Sequence, residues 1–104
     1  MCLAMALTGK QRRHLRALGH ALAPVALIGK GGLTDSFVDG VDQALRTHEL
    51  IKLKLLDSSE LDRHEAAAEL ARRTSAEVAQ VLGGTILLYR PDPDQPRIAL
   101  PRSR

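Results

Sequence analysis

Leu15, Leu18 and Leu22 recur at i, i+3 and i+7, while Arg12, Arg13, Arg16 and His20 fall on the opposite side at about 100° per residue. This spacing predicts a helix with a core face and a cationic face. Thr8-Gly-Lys-Gln11 just ahead reads as a capping box, so the helix should begin near Gly9, and Pro24 should end it. Val25-Ala-Leu-Ile28, an aliphatic run closed by glycine, suits a buried strand. Thr34 can then cap a second helix with an apolar stripe of Phe37, Val38, Val41, Ala44 and Leu45. Its outer face carries Asp35, Asp39 and Asp42, with Arg46 set to pair with Asp42 at i+4. Ile51, Leu53 and Leu55 alternate with Lys52 and Lys54, a strand with one core face and one basic face unless the sheet is covered on both sides.

Ser58 or Ser59 can start a third helix running to about Arg73, with Ala67, Leu70 and Ala71 pointing inward. Residues 77–82 and 85–90 read as strands joined by Gly83-Gly84, a two-residue hairpin signal because both glycines accept positive φ. Pro91, Pro93 and Pro96 then impose an extended loop, and residues 97–100 suit a short edge strand. The order α-β-α-β-α-β-β, without internal repeat, predicts a compact two-layer α/β (α+β) domain.

At 104 residues the chain holds one core, and its 44% hydrophobic and 26% charged composition is that of a globule. Phe37 and Tyr89 are its only aromatic residues, which disfavours modules that stack bases on aromatic rings. Cys2 stands alone, fitting a reducing, cytoplasmic setting, and no apolar run approaches the roughly 20 residues of a membrane span. The net charge of +3 is mild, but its distribution is not. Residues 1–34 carry Lys10, Arg12, Arg13, Arg16 and Lys30 without one acid, leaving ten basic against twelve acidic residues in the rest.

The glycine-rich stretch after the first predicted strand fails as a nucleotide loop. A P-loop would need glycine where Pro24 stands and Ser or Thr where Gly31 stands; a dinucleotide fingerprint would need glycine at Thr34. Neither His48-Glu49 nor His64-Glu65 continues to a second histidine at i+4, and His14 and His20 read as helix-surface residues. His48, on the apolar stripe, reads as a satisfied structural histidine. No nucleophile or paired carboxylate has catalytic spacing, so neither an enzyme nor a cofactor is expected.

Gly29-Lys30-Gly31-Gly32 makes better sense as a phosphate-backbone clamp. Glycines remove the Cβ atoms that would hold a sugar-phosphate chain away, the next helix offers free N–H groups, and Lys30 adds charge. KH-type domains hold nucleic-acid backbone with such a G-x-x-G loop. An acidic protein partner for the same patch is the alternative.

Leu7-Thr-Gly-Lys-Gln11 with His14-Leu15, Pro24-Val25, Ile28-Gly-Lys-Gly-Gly-Leu-Thr34, His48-Glu-Leu-Ile-Lys52, Leu87-Leu-Tyr-Arg-Pro91 and Ile98-Ala-Leu-Pro-Arg102 together resemble the CRM domain (chloroplast RNA splicing and ribosome maturation). The likeness is greatest to stand-alone bacterial YhbY-like proteins and covers residues 7–102, leaving 1–6 as a flexible extension, with Met5 a candidate start, and 103–104 as a tail. It implies a mixed four-stranded sheet with three helices, similar to the C-terminal domain of translation initiation factor three. It also implies RNA binding through Gly29, Lys30, Gly31 and Gly32, with the variable pair Lys30-Gly31 predicting a more mobile loop than usual. Lys10, Arg12, Arg13 and Arg16 would extend the cationic surface; Lys52, Lys54, Arg90 and Arg102 are further candidates. The expected partner is structured RNA, ribosomal RNA of an immature large subunit, bound by a monomer with no membrane or small-molecule substrate involved.

Overall fold

The computed structural model describes residues 7–56, 61–94, 96 and 98. Helix α1 (Gly9–His20) starts at the expected capping box: the Thr8 hydroxyl accepts from the Gln11 N–H, and the Gln11 side-chain carbonyl accepts from the Thr8 N–H, both at 3.1 Å. It ends at His20, short of Pro24, because a residue before proline is driven from helical to extended backbone and the chain needs a turn to enter β1 (Pro24–Ile28). The Thr34 hydroxyl caps α2 (Asp35–His48) by accepting the Phe37 N–H at 3.1 Å. Strand β2 (Leu50–Leu55), helix α3 (Arg63–Thr74) and strands β3 (Glu77–Leu82) and β4 (Thr85–Tyr89) follow in the predicted order.

Helix α3 starts later than expected. Asp62 is its cap, the carboxylate accepting the His64 and Glu65 N–H groups at 2.9 and 3.1 Å, whereas Ser58 and Ser59 lie outside the described residues. In the hairpin only Gly83 takes positive φ, at 57°; Gly84 is needed for space, since a Cβ there would meet the Leu55 carbonyl oxygen at 2.9 Å. The strand expected over residues 97–100 falls outside the described residues except for Ile98, which is in no strand.

The sheet order is β1-β2-β4-β3, with β1 parallel to β2 and the other pairs antiparallel. Alternation along β4 shows how it is covered. Ile86 and Leu88 join Ile51, Leu53, Val41, Leu45 and Leu70 in one cluster under α2 and α3, while Leu87 and Tyr89 join Leu50, Ala79, Leu7 and Leu15 in another under α1. The mixed four-stranded sheet and three helices are as expected. The helices, however, divide between the faces, so that three layers replace the two-layer arrangement.

Helix α1 meets the sheet along Leu15 and Gly19, where a Cβ on Gly19 would come within 2.6 Å of Leu87 Cδ1. This close approach turns Leu18 and Leu22 aside: both are exposed and, with Val25, Ile98 and the exposed His48, line a 340 Å³ groove instead of a core. His48 is thus not the structural core histidine expected. Nor is β1 buried throughout. As an edge strand, it leaves Val25 48% and Leu27 53% exposed, and only Ile28 is fully covered.

Glu49 closes α2 with φ of 63°, a left-handed conformation costing a non-glycine residue about 1–3 kcal/mol. The side chain explains why glycine does not stand there. The fully buried carboxylate accepts the Asp92 N–H at 2.6 Å and the Ile98 N–H at 2.9 Å, and the Glu49 carbonyl accepts the Arg90 N–H at 2.8 Å.

Candidate nucleic-acid interface

The loop of residues 29–32 leaves the carboxyl end of β1, beside the carboxyl end of β2 and the β3–β4 hairpin, since Ile28 pairs with Leu55 and the Leu55 N–H donates to the Gly84 carbonyl. The Gly32 N–H donates to the Gly29 carbonyl at 3.1 Å, tightening the turn. Its glycines have different duties. Gly32 sits at φ of 70°, so the fold itself requires it, whereas a Cβ on Gly31 would have nothing within 4 Å. Lys30 is exposed at the tip. Arg73 braces the exit, donating to the Leu33 carbonyl at 3.2 Å and pairing with Asp35 at 2.6 Å, which draws that carboxylate aside from the start of α2.

On the α1 face, Arg16, His20 and Lys52 share a 180 Å³ groove with Gly19, Gln80, Leu82, Thr85 and Leu87, and no acidic side chain among the described residues lines it. Lys54 lies one step further along the same face of β2, next to Leu27 of β1, and so leads from that groove towards the glycine loop. The structure thereby places Arg16, Lys52 and Lys54 along the α1 side of the sheet, with Lys30 exposed on the loop that follows the β1 end beside Lys54. Arg12 lies towards the other end, near Glu77 at the start of β3. Burial raises the Glu77 carboxyl above its ordinary pKa, and the charge of Arg12 partly opposes that shift. The Arg13 guanidinium folds back along its own helix towards Gly9, and Lys10 is exposed on the first turn of α1. None of these cations has a carboxylate partner within 4.0 Å among the described residues.

Arg90 is a correction. It is half-buried on the other side of the sheet, where its guanidinium donates to the Asp42 carboxylate and the Thr74 carbonyl at 2.6 Å and to the Asp42 carbonyl at 3.1 Å. Those bonds stitch β4 to α2 and α3. The Arg90 hydrogen bond, reinforced by the charges of Arg90 and Arg46, holds the Asp42 carboxyl below its usual pKa despite partial burial. Asp42 thus takes Arg46 as expected and Arg90 as well. Arg102 lies outside the described residues. Sequence reasoning missed Leu27 and Leu82, two exposed leucines flanking Lys54, because nothing local distinguishes an edge strand from a central one.

The model for the CRS1/YhbY (CRM) domain matches residues 7–90, a span that contains the glycine loop, α1 and both β2 lysines. The chain belongs to the CRM domain family. A probable RNA-binding protein of Bacillus subtilis, YqeI, is 38% identical over 95 residues, covering 91% of this chain and 99% of its own. An RNA-binding protein of Haemophilus influenzae is 35% identical over 96 residues, covering 92% and 96%. The solution structure of the hypothetical protein SAV1595 from Staphylococcus aureus superposes with a TM-score of 0.78 at 40% identity, over 92% of this chain and all of that one. The CRM fold of this chain is therefore that of a set of small proteins of nearly its own length.

Proposed function

We propose that this CRM protein is a non-enzymatic, cytoplasmic RNA-binding factor that docks on structured ribosomal RNA of an immature large ribosomal subunit. The observation that carries the reading is the row Arg16, Lys52 and Lys54, cations without a carboxylate partner among the described residues, leading along the α1 face of the sheet towards the glycine loop and Lys30. Gly31 and Gly32 let a sugar-phosphate chain approach the loop backbone, Lys30 contacts its phosphates, and the α1 arginines extend the positive surface. The names of the bacterial relatives support RNA as the partner. Backbone and shape recognition is the mode that suits a face whose tyrosine, Tyr89, is buried.

Gradient sedimentation of cell lysate at low and at moderately high salt tests this. Migration with large-subunit particles at low salt, lost at higher salt and after ribonuclease treatment, is the expected result. A complex that survives ribonuclease would point to an acidic protein partner, and a protein that stays at the top under every condition would end the ribosomal assignment.

A further inference from the structure

Helix α1 covers the middle of its sheet face and leaves one end bare. The groove at Gly19 opens onto the last cross-strand row, Leu27, Lys54, Thr85 and Leu82 in the order β1-β2-β4-β3, whose half-buried Thr85 and exposed Leu82 also line it, since Leu27 pairs with Lys54, Lys54 with Thr85 and Thr85 with Leu82. Each side chain points away from the α2/α3 core, because its neighbours along the strand, among them Ile28, Leu53 and Ile86, face that core. Leu27 is 53% and Leu82 67% exposed, the largest such values among the exposed large hydrophobic residues. Four strands about 4.8 Å apart put the two leucines at opposite ends of a row roughly 14 Å wide, with the Lys54 ammonium between them.

We infer that this bare row is a platform for unpaired nucleotides: bases lie on Leu27 and Leu82 while their phosphates meet Lys54 and, at the edge, Lys30. The inference rests on the RNA-binding reading above and adds to it a class of substrate, RNA with a single-stranded stretch. Charge complementarity chooses the occupant. The platform adjoins at one border the groove holding Arg16 and Lys52, with no acid among its described lining residues, and at the other the glycine loop, so a polyanion with exposed apolar faces fits where an ordinary apolar peptide does not. Nucleobases provide flat apolar area to any such surface, aromatic or aliphatic, and a base edge extruded from a helix is the part of RNA that a protein can cover. A duplex keeps its bases stacked inside and gains nothing from the leucines.

The test titrates the full chain and a Leu27→Thr/Leu82→Thr variant with three probes: a blunt RNA duplex, the same duplex carrying a short single-stranded extension, and that extended duplex with abasic nucleotides in the extension. Threonine keeps strand propensity at two exposed positions, and circular dichroism with a denaturation midpoint verifies the fold. The extension should tighten binding of the full chain about fivefold to tenfold, and the abasic probe and the double variant should each remove the part of that gain owed to the bases, leaving the part owed to phosphates on Lys54 and Lys30. They should not add when combined, and the log-log salt slope should stay the same, because no phosphate contact is lost. An extension effect undiminished in the variant, or equal for the abasic and the intact extension, overturns the platform while leaving RNA binding intact; no binding to any probe overturns both. Should the free full chain self-associate with concentration and the variant not, the leucines would be an interface between copies and the platform would be wrong.

Discussion

The two faces of the sheet treat charge in opposite ways. Under α2 and α3 four of the described cations are held in ion pairs: Arg90 and Arg46 hold Asp42, Arg73 holds Asp35 and Arg72 holds Glu69, around a core that includes the fully buried Leu53, Leu70, Ile86 and Leu88. Under α1 a smaller apolar cluster supports a surface whose described cations have no carboxylate partner. The first face holds the fold together and the second stays available to a polyanion. The net charge conceals this division, because among the described residues the cations without a carboxylate partner lie mostly on the α1 side.

Truncation should separate the faces most sharply. Leu88→Ala opens a cavity in the α2/α3 core and should cost about 2–5 kcal/mol in urea unfolding, whereas Leu82→Ala on the bare row should stay within about 0.5 kcal/mol. Equal losses would mean that Leu82 is covered in solution. Charge reversal comes next. Lys30→Glu with Lys54→Glu should weaken RNA binding roughly tenfold or more and make the salt dependence shallower by about 0.7 per lost phosphate contact, while Arg46→Glu with Arg72→Glu should leave both unchanged. A similar loss from both pairs would reduce the interface to net charge alone.

Arg90→Met should cost about 1–3 kcal/mol of stability, because the Thr74 carbonyl loses the Arg90 donor and the Asp42 carboxylate is left with Arg46, without changing the RNA affinity of the folded protein. The smallest effects are in pH dependence, and the faces should differ in sign. The depressed pKa of Asp42 gives a stabilisation present above the ordinary carboxylate range and lost as pH falls through the lower folded value, so Arg90→Met should flatten the stability profile below about pH 4. The raised pKa of Glu77 does the reverse: stability is lost as pH rises from the ordinary value through the folded one. Glu77→Gln should therefore stabilise slightly at pH 7 and lose that gain in acid. Denaturant midpoints measured from pH 3 to 7 check both.

Most of the fold was legible because its signals are local. The capping box at Thr8, the Thr34 cap, the Gly83-Gly84 turn and the alternation in β2 each act within a few residues, and each element formed where its pattern predicted. The errors concern the residues whose surroundings come from distant parts of the chain. Leu18 and Leu22 satisfy a helical stripe, but which part of a stripe meets the sheet depends on where a glycine permits contact, and Gly19 moved that line. Arg90 belonged to a basic strand end until Asp42, 48 residues earlier, claimed it. The glycine loop was legible as a motif; that Gly32 serves the fold and Gly31 faces open space was not, because φ and free space are properties of the folded turn.

Glu49 also bears on how the molecule opens and closes. Its carboxylate holds amides 43 and 49 residues further along, so the proline-rich segment cannot dock before α2 and β2 have met and β4 has joined them. That segment should be the last to order in refolding. In the native state, the amides of Asp92 and Ile98 should exchange with solvent deuterium only when the α2–β2 junction itself opens, making two residues in a surface loop reporters of an event in the interior.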